Sequence, residues 1–139
     1  MERIKILIFS FSILFSGGCG NTPVVKIYPK GENAHIECLS LDIYPMNDDI
    51  RRSLEKLYPF DPSCKTVLEV RHKENISCNA NHNAFHKAVG GFPGNFLRME
   101  VRKGLTLLYS YYIDLDSKAG AEDAKRAFER IKRDLDLSN

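Results

Sequence analysis

The stretch FLRMEVRKGLTLLYSYYI, residues 96–113, decides the fold. Leu97, Met99 and Val101 alternate with Arg98, Glu100 and Arg102, and Leu105, Leu107, Tyr109, Tyr111 and Ile113 form a second alternating set. Period-two alternation on both sides of a glycine is the signature of a hairpin with one apolar face. A two-residue loop that opposes Val101 to Thr106 would mismatch the faces. A three-residue loop, Arg102-Lys103-Gly104, pairs Val101 with Leu105 and Met99 with Leu107, and puts Gly104 where the backbone wants a positive φ. The sequence therefore predicts that hairpin, with Leu108 and Tyr112 on its outer side.

Downstream, Ser117 offers a cap for a helix whose Ala124, Phe128, Ile131 and Leu135 form an apolar stripe, opposite Glu122, Lys125, Glu129, Arg130 and Arg133. Upstream, residues 24–28 read as a short strand closed by Pro29-Lys30-Gly31, and residues 35–44 as a longer one. The alternation in that longer strand slips by one residue near Cys38, which predicts a bulge. Asn47 is a predicted N-cap for a helix carrying Ile50, Leu54 and Leu57, ending by Tyr58 because Pro59 follows. Residues 66–71 read as a strand, 72–75 as a turn, and 81–89 as a short helix stopped by Gly90-Gly91. The order predicts an α+β fold: a small antiparallel or mixed sheet of about four to five strands, with a long C-terminal helix and one or two shorter helices packed on it.

The first residues follow a different grammar. In MERIKILIFSFSILFSGGCG, Arg3 and Lys5 precede an uncharged run from Ile6 to Phe15, about half of the roughly 20 residues a spanning helix needs, and small residues follow. Ser16-Gly17-Gly18-Cys19 resembles the bacterial lipoprotein signal, with Ser16 standing where an aliphatic residue is usual. The resemblance covers residues 1–20. It implies cleavage before Cys19, a diacylglycerol thioether and acyl (palmitate) modification of that cysteine, and, because Gly20 rather than aspartate follows, an outer-membrane address facing the periplasm. The expected organisation is a signal peptide at 1–18, the lipidated cysteine and tether at 19–23, and one domain at 24–139, with a plain cleaved secretory signal as the alternative reading of the first segment. Gly20 to Pro23 can span at most about 14 Å, so the domain is expected close to the bilayer.

Cleavage leaves 18 basic against 17 acidic residues, so charge gives no case for nucleic acid. With Cys19 assigned to lipid, Cys38, Cys64 and Cys78 remain, enough for a single disulfide. Cys64 and Cys78 flank the ends of predicted elements and form the expected pair. Cys38, inside the predicted strand, reads as a small buried hydrophobe.

Cys78, His82 and His86 stand four residues apart, a spacing that on one continuous helix could hold zinc, copper or haem iron. No fourth ligand is evident, and Asn79 and Asn81 favour a helix that starts after Cys78. The pair His82 and His86 therefore reads as ordinary surface residues, and no metal or cofactor is expected. No nucleophile elbow, zinc-protease helix or phosphate-cradling glycine loop is present, so the sequence argues against an enzyme. Phe92, held in Phe92-Pro93-Gly94, together with Leu108 and Tyr112 forms a candidate partner surface. In element order behind a lipobox the chain loosely looks like the LPS-assembly lipoproteins. The leading expectation is a membrane-anchored envelope lipoprotein whose noncatalytic domain is a binding or assembly module for a partner protein or envelope component. The alternatives are a periplasmic metal- or haem-binding protein and a small hydrolase or enzyme inhibitor.

Overall fold

A computed structural model describes residues 21–73 and 94–137. Its elements run β1 (Val24–Ile27), α1 (Pro29–Glu32), β2 (Ser40–Tyr44), α2 (Asp48–Glu55), β3 (Thr66–Lys73), β4 (Asn95–Lys103), β5 (Thr106–Leu115) and α3 (Ala121–Asp134). The strands form one five-stranded mixed sheet in the order β1-β5-β4-β3-β2, antiparallel except where β2 runs parallel to β3. Helices α2 and α3 pack together on one face, the arrangement expected of an α+β fold.

Each helix follows from local chemistry. The Asn47 side chain accepts from the backbone N–H groups of Asp49 and Ile50, satisfying two of the orphan donors of α2. Ile50 and Leu54, one turn apart, are fully buried. The long C-terminal helix is capped differently from the expectation. Its N-cap is Gly120, not Ser117, and the Asp123 carboxylate reaches back to the Gly120 N–H at 3.0 Å. Ala119, buried in the core, leads the chain into that cap and leaves Ser117 outside on an exposed bend. Ala124, Phe128 and Ile131 are buried as the stripe predicts, joined by Ala127. The helix ends with Leu137 N–H bonded to Lys132 O and Asp136 at φ 49°, so the chain turns through a left-handed residue and buries Leu137.

The core face of the sheet reads across the strands: Leu68 and Val70 of β3, Leu97, Met99 and Val101 of β4, and Tyr109 and Tyr111 of β5. Tyr109 is fully buried, and its hydroxyl donates to Asp134 at 2.7 Å, tying α3 to the sheet. Burial, and then the bond to Asp134, push the Tyr109 hydroxyl pKa well up. Burial alone would raise the Asp134 carboxyl. The bonds it accepts from Tyr109 and Arg130 outweigh that and hold it below the ordinary carboxylate value.

The hairpin forms with a different register from the predicted one. Lys103 pairs with Thr106, leaving a two-residue loop, Gly104-Leu105, with Gly104 at φ 58°. Arg102 then faces Leu107 and Val101 faces Tyr109, so Leu108 is an extra residue on β5, a bulge. The bulge restores the matching of apolar faces that a plain two-residue loop would lose. It also corrects two expectations. Leu105 stands fully exposed in the turn, and Leu108, expected on the outer side, is buried in the core cluster.

Helix α1 sits over this bulge, where the sequence predicts only a turn. Tyr28 N–H bonds to the Leu108 carbonyl at 3.0 Å. Gly31 packs so tightly on the same peptide that a Cβ there would collide with the Leu108 carbonyl oxygen. Because the obstacle is backbone, Gly31→Ala should lift α1 off the bulge and cost about 1–3 kcal/mol, the usual range for overpacking. Urea unfolding would show this as a lower midpoint with an unchanged slope.

The disulfide joins Cys38 to Cys64, with sulfurs 2.04 Å apart, and not Cys64 to Cys78. The strand predicted over 35–44 begins only at Ser40, so Cys38 lies in the segment leading into β2, and the expected bulge in that strand does not arise. Because β2 is parallel to β3, with Ser40 beside Val67, the two segments entering these strands run side by side at one end of the sheet. That brings the Cys38 and Cys64 Cα atoms to 5.9 Å, inside the range a disulfide requires. The short helix predicted over 81–89, and Cys78 itself, lie outside the described residues.

Candidate functional site

The face of the sheet opposite α2 and α3 is built by the polar half of each strand. Side chains at paired positions share a face, so the register lays them out in rows. One row runs Val24, Tyr112, Arg98, Arg71, Tyr44 from β1 to β2, and the next runs Lys26, Ser110, Glu100, Glu69, Asp42. Arg102 follows in the third row.

Two of these rows set like charges directly opposite each other. Arg71 faces Arg98 across β3 and β4, and Glu69 faces Glu100. Such pairs are unfavourable. The compensation comes from ion pairs that link one row to the next. Arg102 meets Glu100 at 2.7 Å and Glu69 at 3.5 Å, Arg98 meets Glu100 at 3.8 Å, and Arg71 meets Glu69 at 3.8 Å. A shorter contact, Arg71 to Asp42 at 2.8 Å, spans to the edge strand. The Arg102 guanidinium is held protonated even more firmly than usual, first by its bond to Glu100. Glu100 is buried, so removing Arg102 would strand a desolvated carboxylate. The result is a stripe of arginines beside a stripe of carboxylates.

Aromatic side chains frame the stripes. Tyr112 stacks on Phe96 with ring centroids 5.7 Å apart, and its hydroxyl donates to Asp114 at 2.6 Å. That bond, more than burial, raises the pKa of the Tyr112 phenol. Tyr44 is 70 % exposed at the edge, with the Arg71 guanidinium 6.0 Å from its ring centroid.

Of the residues singled out in the sequence, Tyr112 lies on this face and Leu108 does not, being buried at the bulge. Phe92, Cys19, His82 and His86 lie outside the described residues, as does Cys78. Among the described residues no group of three histidine, cysteine or acidic side chains is placed to hold a metal, and no helix is long and apolar enough to cross a membrane. Within the described residues His72 is buried, with its Nε2 2.8 Å from the Pro45 carbonyl oxygen.

The striped face was missed in the sequence because its signal is distributed. Arg98, Glu100 and Arg102 announce themselves as an outer face, but the like-charge rows appear only when β3 is laid beside β4 in register. The chain matches no protein-family model, no curated protein and no solved structure.

Proposed function

We propose that this chain is a bacterial envelope lipoprotein, held at a membrane through acylated Cys19, whose domain is a noncatalytic binding module that offers the striped sheet face to a partner protein. The observation that carries the binding reading is the opposition of like charges, Arg71 to Arg98 and Glu69 to Glu100. A sheet face selected for stability alone would alternate its charges across the strands. Departures from local rules of this kind concentrate where a surface meets something else. A partner presenting carboxylates opposite the arginine stripe and cations opposite the acidic stripe would relieve both rows at once, and rim charges arranged so favour correct register and fast encounter.

The anchor reading rests on the signal-like segment and on how the tether meets the fold. Asn21, two residues after Cys19, donates its side-chain N–H to the Asp114 carbonyl at 2.7 Å. Two residues extend at most about 7 Å. An acylated Cys19 would therefore hold the β5 end of the sheet near the headgroups and leave the striped face standing beside the bilayer.

The test is intact mass and fractionation of the full chain expressed in a Gram-negative host, comparing wild type with Cys19→Ala. The expected result is a membrane-bound, acylated chain beginning at residue 19 that is converted by the substitution to an unacylated form. An unacylated wild-type chain would overturn the anchor. Photo-crosslinking from position 98 in the same membranes should give a discrete adduct that is absent from position 105 in the hairpin turn. Equal labelling from both would overturn the face.

A further inference from the structure

At the opposite end of the sheet, where β4 turns into β5 and β2 and β3 begin, lies a cleft that the proposed function does not use. Ala34, Ile36 and Leu108 contribute an apolar lining to a hollow of about 260 Å³ between α1 and the hairpin. Its other walls bring two lysines from separate parts of the chain, Lys30 from α1 and Lys103 from the end of β4, with the His35 imidazole from the loop after α1. An adjoining hollow of about 330 Å³ shares His35, Thr66 and Lys103, adds Lys65, and has the Cys38–Cys64 disulfide in its wall. Among the described residues lining the two, Glu37 is the one carboxylate.

Several features of the fold converge to build this cleft. The bulge puts Leu108 in its lining, and Gly31, lacking a Cβ, lets α1 settle onto the same peptide as a wall. The disulfide fixes the segments that enter β2 and β3 beside it. Bulges recur beside binding sites because they re-aim side chains. Lys30 and Lys103 both line the hollow that holds the apolar residues, and Lys65 lines the adjoining one, so positive charge is available to an anion seated there. Thr66 and Thr106 bring hydroxyl groups, neutral donors, to the same walls.

We propose that this cleft binds a small organic anion: a carboxylate carried on a short apolar body, with the charge held by Lys30 and Lys103 and the apolar part lying on Ile36 and Leu108. The volume falls just below the span typical of pockets for drug-sized molecules, which fits a body the size of a single aromatic ring. The site is independent of the anchor, since a lipidated or an unlipidated chain would carry it equally.

The experiment is equilibrium dialysis of radiolabelled benzoate against the full chain, in phosphatidylcholine nanodiscs if the chain is acylated and in buffer if it is not. Empty nanodiscs or buffer serve as the blank. Saturable binding is expected, weakened about tenfold or more in the Lys30→Gln/Lys103→Gln variant, because two charge-assisted contacts are lost. Both lysines are exposed, so circular dichroism of the variant should match wild type. Benzylamine, of the same shape and opposite charge, should not compete, and inorganic phosphate should compete less well than unlabelled benzoate. Absence of saturable binding, an unchanged affinity in the variant, or competition by benzylamine equal to that by benzoate would overturn the charge selection. Phosphate competing as well as benzoate would overturn the apolar part.

Discussion

Phe128→Ala should lower the free energy of unfolding by about 3–5 kcal/mol, the range for truncating a fully buried aromatic. Phe128 has no exposed surface. Its ring centroid lies 6.0 Å from Tyr58 in an edge-on arrangement and 5.6 Å from Phe60, which is itself 5.1 Å from Tyr58. These three rings join α3 to the chain leaving α2. Truncation removes apolar area and also the edge-to-face contact with Tyr58, a geometry that adds roughly 0.5–1.5 kcal/mol per pair. Relaxation into the void is limited, because Tyr58 and Phe60 flank Pro59 and the Phe60 N–H is bonded to the Tyr58 carbonyl at 3.1 Å. Phe128→Leu, which keeps much of the volume, should cost clearly less. Chemical denaturation of both variants would check the ordering, and a loss under about 1 kcal/mol for Phe128→Ala would mean that the three rings do not form one packed unit.

Replacing Cys38 and Cys64 together by serine should cost about 3 kcal/mol, with the wild-type chain under reductant losing a similar amount. The closed loop spans 26 residues. Opening a loop of that size returns roughly 3 kcal/mol of conformational freedom to the unfolded chain. The loop contains β2 and the whole of α2, so the gain is shared by the parallel crossover. A parallel strand pair cannot be closed by a tight turn and depends on its long connection. The double variant should therefore show earlier amide exchange in β2 than in β4 or β5, read by mass spectrometry. Uniform exchange across the sheet would show that the bridge acts on the fold as a whole rather than on that edge.

The parts of the fold legible in the sequence are those fixed by near neighbours. The alternation in β4 and β5, the Asn47 cap, and the Ala124, Phe128, Ile131 stripe each depend on a few adjacent side chains, and each is found in the structure. What escaped depends on distant partners. The bulge at Leu108 is set by the contact with Tyr28 and Gly31, far along the chain, so spacing within the hairpin could not separate it from a three-residue loop. The Cys38–Cys64 pairing follows from β2 lying parallel to β3, and strand direction is not written in either segment. The candidate face shows the same division: Tyr112 and the outward Arg98, Glu100 and Arg102 are visible locally, whereas the opposition of Arg71 to Arg98 needs the register between two strands.

The position of β1 has a consequence for synthesis. Val24 to Ile27, the first strand among the described residues, pairs there with β5 alone, with Val24 beside Tyr112 and Ile27 beside Tyr109. A growing polypeptide thus holds β1 without this partner until about 80 further residues have been made and β5 is available. Closure of the sheet is a late, long-range event rather than a stepwise zippering from the front, and pairings of that kind are slow to form. Until then Val24 to Ile27 is uncommitted, and the edge of β5 that it covers in the finished sheet stands open.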